Sequence, residues 1–275
     1  MVIPKISDVV NRVVAPVEAT QKPSQERMID MALHRLYDDL AYLFPVITPP
    51  EHYEEEAAQW RKLLRQHLGP GRHRILELGV GGGHNLSHLK QEFDAAAVDI
   101  SPRMLDLSRQ LNPEVRHIQG DMRCLDLNEK FQAVLIHDAV SYLTCVDDLQ
   151  KTVATAARHL AKDGVLIMAP DYFRETFISN RVTHFTNSIE GITVTFLEHT
   201  WDPDPSDTEI EVNMFFLIMK DGTLTVEEDR HTLGLFPQSI WQDVLDEAGY
   251  TVEWVPCPYQ EEDMPGWLIV ARIGS

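Results

Sequence analysis

The spacing of apolar positions changes along the chain, and each spacing predicts a different kind of structure. Residues 26–44 carry apolar side chains at helical intervals, which predicts a helix that ends before a proline. A second helix is predicted over residues 48–68, with Thr48 as its N-cap, acidic residues in its first turn and a Gly-Pro pair after its end. Residues 1–24 mix prolines, polar residues and charges, which predicts a loose arm.

From residue 74 onward, short apolar runs alternate with amphipathic segments. Predicted helices cover residues 84–91, 102–111 and 147–161. The predicted strands around them have the sequences RILEL, AAAVDI, VRHIQ, FQAVLIHD and VLIMAP. Strands and helices in alternation predict a parallel sheet with helices on both faces.

The alternation stops after residue 171, where three β-rich runs follow one another over 192–201, 209–220 and 223–236. The pair Asp221-Gly222 between the last two predicts a hairpin turn. A final helix and two strands then return to the first pattern. We therefore expect an α/β doubly wound sheet with an antiparallel insertion. The expected parts are an N-terminal arm at 1–24, a helical lid at 25–68, a core at 69–171, the insertion at 172–234 and a completion of the core at 235–275.

Composition and charge limit the kinds of molecule that the protein is expected to bind. The chain has 24 lysines and arginines against 43 acidic residues, a net charge of −19, which argues against nucleic-acid binding because phosphate contacts need a basic surface. No apolar run is long enough to span a membrane, and the first residues lack the apolar core of a signal peptide. Three widely spaced cysteines predict a reducing, cytoplasmic location.

The segment ILELGVGGGHNLSHL, residues 75–89, carries four of the chain's 14 glycines between positions 79 and 83. It joins a predicted strand to a predicted helix at the carboxyl edge of the parallel sheet, where such folds bind ligands. Glycines let a backbone approach a ligand closely because they have no Cβ. A dinucleotide-binding loop would need a further glycine where this chain has His84, so that fingerprint is absent.

The pattern Glu77-x-Gly79-x-Gly81-x-Gly83 resembles motif I of the class I S-adenosylmethionine-dependent methyltransferases. The resemblance implies a Rossmann-like fold, S-adenosyl-L-methionine as cofactor, glycines that approach its methionine and ribose parts, and an acid, Glu77, that faces its amino group. The same resemblance also implies binding roles for residues in three later segments.

Three later segments match the same family in order. Asp99 at the end of the second strand resembles the acid that accepts from both ribose hydroxyls, with Ile100 packing on the adenine. The segment QGDM resembles the adenine-binding segment, through Asp121 and the backbone of Met122. The segment HDAVSYL then falls where the family contacts the methionine end and the reacting groups, which implies roles for His137, Asp138 and Tyr142.

A narrower similarity is to the N-methyltransferases that dimethylate amino sugars in macrolide biosynthesis. The segments LYDDLAY and HYEEEA occupy the places of a lid in that group, which implies lid or cofactor contacts for Tyr37 and Tyr53. The resulting expectation is methyl transfer to nitrogen or oxygen of a small-molecule acceptor, by a monomer or a homodimer. A non-catalytic cofactor-binding subunit and an aminopropyltransferase of the same fold remain open alternatives.

Histidines supply the candidate bases. His137 either acts as general base or orients the acceptor, or it only shapes the cofactor pocket. The insertion histidines, His184, His199 and His231, are expected at the surface, although one of them could reach the active site. His84 has the i, i+4 spacing of a metal pair with His88, but no third ligand is evident, so we expect a solvated helix face and no metal.

Overall fold

The structure, a computed structural model, describes residues 34–258 and 263–273. In these ranges the chain forms one seven-stranded and one four-stranded sheet. The strands are β1 Arg74–Leu78, β2 Asp94–Asp99, β3 Arg116–Gln119, β4 Phe131–Ile136, β5 Leu160–Met168, β6 Arg181–Ile189, β7 Ile192–Trp201, β8 Glu209–Lys220, β9 Thr223–Gly234, β10 Tyr250–Pro256 and β11 Trp267–Ile273.

Helices connect the strands of the larger sheet. They are α1 Phe44–Ile47, α2 Glu54–Leu68, α3 His84–Ser87, α4 Pro102–Leu111, α5 Val146–His159 and α6 Gln238–Glu247, with 3₁₀ turns at Arg35–Tyr37, Ala41–Leu43, Pro50–Tyr53 and Asp138–Tyr142. Ser101 caps α4, because its hydroxyl accepts a hydrogen bond from the backbone NH of Met104 at 3.1 Å. Within the described ranges, no helix has the length and apolar character needed to cross a membrane.

The seven-stranded sheet has the order β10-β11-β5-β4-β1-β2-β3, and β11 runs antiparallel to both of its neighbours. The strands β1 to β5 are parallel. Apolar side chains from the two faces of this sheet form two separate cores under the helices. The chain order reverses between β1 and β4, and this switch point is where open α/β sheets bind ligands. The structure confirms the predicted fold class.

The N-terminal helical prediction is wrong in detail for the described part. Residues 34–47 form two short 3₁₀ turns and the four-residue helix α1, not one continuous helix. Pro45 lies within the first turn of α1, where a missing NH costs nothing. Thr48 does not cap a helix start: it follows α1 and its hydroxyl donates to the carbonyl of Phe44 at 3.1 Å. The remainder of the predicted helix lies outside the described residues.

The insertion forms an antiparallel sheet of four strands in the order β6-β7-β8-β9, where the sequence pattern predicted three. Strand β6 was missed because it is an edge strand with mostly exposed positions and shows no apolar face. Two-residue turns at Glu190-Gly191 and Asp221-Gly222 have positive φ at both positions, as tight hairpins require. The inward face of this sheet packs against apolar residues from the segment 36–47.

Candidate functional site

The glycine loop lies between β1 and α3 and is held tightly to the sheet. The backbone NH groups of Gly79 and Val80 both donate to the carbonyl of Val98 in β2, at 2.8 and 2.9 Å. Gly79, Gly81 and Gly83 have φ angles of 77°, 54° and 75°, which side-chain-bearing residues rarely adopt. A Cβ on Gly79 would come within 2.2 Å of Ala139 Cβ. The loop is therefore a backbone surface that only glycine can form here.

Asp99 fixes this loop from the neighbouring strand. One carboxylate oxygen accepts from the NH of Gly81 and the other from the NH of Ser101, both at 2.8 Å. Burial raises the pKa of Asp99, and the backbone hydrogen bonds partly oppose that rise. Ile100 follows at the same edge, and its carbonyl accepts from Gln119 at 3.2 Å. The structure thus brings Asp99 and the glycine loop together.

Glu77 and His137 lie side by side in a group of buried charges. The Oε2 atom of Glu77 has no hydrogen-bond partner among the described residues, and burial raises the pKa of this acid to about 8. His137 contacts Glu56 through Nε2 and Asp138 through Nδ1, the latter at 3.0 Å. Burial alone would lower the pKa of His137, but the charges of Asp138 and Glu56 raise it to about 10.

The segment after β3 places Asp121 beside the loop, where its carboxylate pairs with Arg123. Four contacts from the side chain and backbone of Arg123 reach Asp121, at 2.7–3.1 Å. Burial would raise the pKa of Asp121, but these hydrogen bonds hold it below its usual range. Met122 is buried, and a Cβ on Gly79 would lie 3.3 Å from its methyl group. Arg123 was not predicted from the sequence.

An aromatic group covers the glycine loop. The ring of His84 lies between those of Phe44 and Tyr53, with centroid distances of 5.1 and 5.7 Å. Burial lowers the pKa of His84 to about 4, so the ring is neutral at ordinary pH. His88 contacts the carbonyl of Pro50 at 2.8 Å. The expectation of a solvated helix face for this histidine pair is wrong, because the segment 44–53 folds over it.

A chain of side-chain hydrogen bonds joins the insertion to the N-terminal segment. The hydroxyls of Tyr37 and Tyr142 lie 2.6 Å apart, and the Tyr142 hydroxyl lies 2.7 Å from His231 Nδ1. His231 Nε2 lies 2.8 Å from Asp229. His231 is fully buried, so the expectation of a surface position is wrong for this histidine. With Asp229 and His34 it forms a group whose donor atoms all lie within 4.8 Å.

Two further carboxylates, those of Asp171 and Glu198, are buried on the side of the site that faces the insertion. Burial and the nearby charge of Asp138 raise the pKa of Asp171 well above its usual range. Burial also raises the pKa of Glu198, on the inward face of β7. Burial raises the pKa of the Tyr172 hydroxyl, and the nearby charges of Glu198 and Asp171 raise it further. The side of the site that faces the insertion is therefore acidic.

The sequence pattern could have placed three of the site residues, Glu56, His231 and Glu198, on buried faces. Glu56 belongs to an acidic run, but its spacing from Trp60 and Leu63 places it on the buried face of α2. His231 alternates with Leu233 along β9, which places both on the inward face. Glu198 alternates with Val194 and Phe196 along β7 in the same way, whereas Asp171 had no comparable signal.

Comparison with known proteins decides the family. A sequence profile described as a methyltransferase domain matches residues 75–164. The chain is 32% identical to a dTDP-3-amino-3,4,6-trideoxy-α-D-glucopyranose N,N-dimethyltransferase of Streptomyces venezuelae, over 74% of this chain and 85% of that protein. The chain belongs to the S-adenosylmethionine-dependent methyltransferases.

Two further relatives agree with this methyltransferase assignment. A dTDP-3-amino-3,6-dideoxy-α-D-glucopyranose N,N-dimethyltransferase of Streptomyces fradiae is 30% identical over 74% of this chain and 80% of that protein. The structure of CalS10, an amino pentose methyltransferase of Micromonospora echinaspora solved with S-adenosylmethionine, matches with a TM-score of 0.70 at 27% identity, covering 80% of this chain and 90% of that chain.

The methyltransferase cofactor fits the residues present. A buried carboxylate oxygen of Glu77 lacks a partner, which suits the cofactor's amino group. The loop at Gly79–Gly83 is a concave backbone surface that side chains would fill. S-adenosylmethionine is the cofactor of this family, and the free oxygen of Glu77 and the glycine loop both suit it.

Proposed function

We propose that this methyltransferase transfers a methyl group from S-adenosylmethionine to the amino group of a small, sugar-like acceptor, by in-line displacement. The observation that carries the proposal is the acidic side of the site, formed by Asp138, Asp171 and Glu198. Acids whose pKa burial raises become carboxylates when a cation approaches, and they therefore favour an amine over a neutral hydroxyl. The curated relatives named above act on amino sugars, which supports the same choice.

In the proposed function the donor side is formed by the loops after β1, β2 and β3. Glu77 accepts from the cofactor's amino group and Asp99 from its ribose. Asp121 and the backbone of Met122 receive the adenine, with Ile100 packing against it, and the glycines let the backbone reach the methionine end. The cofactor supplies an activated methyl group. The protein aligns donor and acceptor and excludes water, which together contribute on the order of 7–11 kcal/mol.

We propose that His137 is a fixed cation rather than a general base. Its ring is enclosed by Trp60 and by the carboxylates of Glu56 and Asp138. With its pKa at about 10, it already carries a proton near neutral pH and cannot accept another from the acceptor. Its charge instead keeps two acids in place at the methionine end, next to Glu77.

The pH dependence of cofactor binding tests the role of Glu77. Below about pH 8 this acid is mostly protonated in the free protein, so it must release a proton to pair with the cofactor's amino group. Affinity for S-adenosylhomocysteine should therefore rise from about pH 6 to about pH 7.5, by up to roughly tenfold per unit. In Glu77→Gln the slope should vanish. Calorimetry measures both.

The matched control is Glu55→Gln, which removes an exposed carboxylate from the first turn of α2. It should keep both the slope and the affinity of the wild type. A Glu77→Gln protein with the wild-type slope would show that another group titrates on binding, and Glu77 would lose its proposed role.

Acceptor choice is tested with matched substrates. The wild-type protein is incubated with S-adenosylmethionine and a nucleotide-linked 3-amino-deoxysugar, or with the sugar that carries a hydroxyl at the same carbon. We expect S-adenosylhomocysteine and singly and doubly methylated product from the amine only. Equal turnover of the hydroxyl sugar would refute the amine preference, and release of S-adenosylhomocysteine from neither, with calorimetry showing cofactor bound, would refute the acceptor class.

We also propose a homodimer in the cytoplasm. The outward face of the antiparallel sheet exposes apolar side chains in adjacent register, including Leu217 paired with Val226 and Met219 paired with Leu224. Exposed apolar patches of this kind commonly mark association surfaces. Neither Cys124 nor Cys145 forms a disulfide in the described part of the chain, which fits a reducing compartment. Light scattering would refute the dimer if it gave the mass of one chain.

A further inference from the structure

The hydrogen-bond chain from Asp229 to Tyr37 has a direction that its chemistry fixes. Asp229 accepts from the backbone NH groups of Leu36 and Arg230, at 2.8 and 2.9 Å. Burial would raise the pKa of Asp229, but the hydrogen bond from His231 holds it below its usual range, so the group is a carboxylate. A carboxylate only accepts, and His231 must therefore donate from Nε2.

The rest of the direction follows from that first donor. A neutral imidazole with its proton on Nε2 has an acceptor at Nδ1, and Tyr142 donates to it. The Tyr142 oxygen then accepts from the hydroxyl of Tyr37, 2.6 Å away. Both tyrosine protons therefore point towards His231. The Tyr37 oxygen at the end of the chain has lone pairs that can accept a proton.

The chain ends at the place where donor and acceptor sides meet. The backbone carbonyl of Tyr37 accepts from the hydroxyl of Ser101, whose NH binds Asp99. Tyr142 belongs to the 3₁₀ turn that begins at Asp138, and in the same turn the hydroxyl of Ser141 accepts a hydrogen bond from the backbone NH of Asp171 at 2.9 Å. The tyrosine pair thus lies between the ribose acid and the acidic side that faces the insertion.

We propose that Asp229, His231, Tyr142 and Tyr37 form a proton-accepting chain for the amino group of the acceptor, which rests on the function proposed above. As the new carbon–nitrogen bond forms and the carbon–sulfur bond breaks, the nitrogen becomes an ammonium. Its proton passes to the Tyr37 oxygen, that of Tyr37 to Tyr142, and that of Tyr142 to Nδ1 of His231. The amine is then neutral again, as a second methylation requires.

The imidazolium formed in this step is stabilised by its surroundings. Asp229 pairs with it directly, and Glu198 of β7 lies on the same inward face of the antiparallel sheet. The ring of His34 lies against it at a centroid distance of 4.0 Å. The proton returns to water after product release. Asp229 and His231 act through the tyrosines and are positioning residues.

The direction can be measured without any acceptor. In full-length protein with ¹⁵N-labelled histidine, His231 should show a protonated Nε2 and an unprotonated Nδ1 near neutral pH, assigned by its loss in His231→Gln. Tyr142→Phe should shift the Nδ1 resonance. A proton on Nδ1 in the wild type would overturn the proposal, and so would displacement of the Nε2 proton by added Zn²⁺ at stoichiometric amounts.

Kinetics test the proton step. Asp229→Asn and Tyr142→Phe should lower kcat with the amino sugar by roughly 100-fold, the usual size of a proton-transfer contribution. Asp229→Asn should also move the acidic limb of the kcat profile to lower pH, because the imidazolium of His231 is less stable without its carboxylate partner. Affinity for S-adenosylhomocysteine should be unchanged in both. His184→Gln, an exposed histidine of β6 in the same sheet, is the matched control and should behave as wild type.

The two proposals fail in different ways. Wild-type rates and pH profiles in Asp229→Asn and Tyr142→Phe, in protein that methylates the amine, would overturn the chain and leave the function intact. A wild type that binds cofactor but methylates no amine overturns the proposed function and the proton step with it. The histidine resonances would then still decide whether the chain has the stated direction.

Discussion

Gly79→Ala is expected to lower the free energy of unfolding by roughly 2–5 kcal/mol, the sum of left-handed strain and overpacking. The residue has a φ of 77°, and the new methyl group would lie 2.2 Å from Ala139 Cβ. Ala139 cannot rotate away, because its Cβ is fixed by the backbone. The loop or the 3₁₀ turn at Asp138–Tyr142 must therefore move. Urea unfolding followed by circular dichroism measures the loss.

A matched glycine separates the two contributions. Gly222 has a φ of 74°, but nothing lies within 4 Å of the position its Cβ would take. Gly222→Ala should therefore cost only the strain, about 1–2 kcal/mol. If the two variants lost equal stability, the close approach at Ala139 would not be a real constraint on the loop.

Asp99→Ala should weaken binding of S-adenosylhomocysteine by about 1.5–3 kcal/mol, the usual range for hydrogen bonds to a charged group. The carboxylate anchors Gly81 and Ser101 through two hydrogen bonds of 2.8 Å, and in the proposed function it also receives the ribose. Its removal therefore loosens the loop and leaves the ribose without its acceptor. Calorimetry measures the affinity directly.

The control for this variant lies on the same strand. Asp94→Ala removes an exposed carboxylate at the start of β2, which lies 3.8 Å from Arg74 and pairs weakly with it. It should leave affinity within a few tenths of a kcal/mol. Unchanged affinity in Asp99→Ala, in protein that still unfolds cooperatively, would remove Asp99 from the ribose role.

The positions of the residues proposed to bind the methyl donor were predictable because they depend on local sequence. Glu77 and Asp99 lie at the carboxyl ends of strands, so the end of an apolar run also gives the position of the side chain. Glu77 and Asp99 lie 22 positions apart, yet the parallel pairing of β1 with β2 brings their strand ends to one edge. Spacing and the parallel-sheet rule therefore predicted that these side chains share an edge, whereas their proposed roles came from the family resemblance.

The acceptor half was not predictable in the same way. Tyr37 and Tyr142 are 105 residues apart, and Tyr142 and His231 are 89 apart. Their contacts depend on how the antiparallel sheet docks, which no local pattern states. The helical prediction for the described residues 34–44 failed for a related reason. Its apolar spacing also suits successive 3₁₀ turns, and packing against the antiparallel sheet selects between the two.

The division between the two halves has a consequence for how such proteins diversify. In the proposed function, the residues that bind the methyl donor occupy one short stretch, 77–122, whereas Glu198, Asp229 and His231 of the acceptor side lie on hairpins of the antiparallel sheet. In the proposed arrangement, a recombination that replaced those hairpins would exchange one acceptor for another and leave the use of the cofactor intact. In this arrangement, substrate specificity can change by exchange of the hairpins alone, without a change in the residues that bind the cofactor.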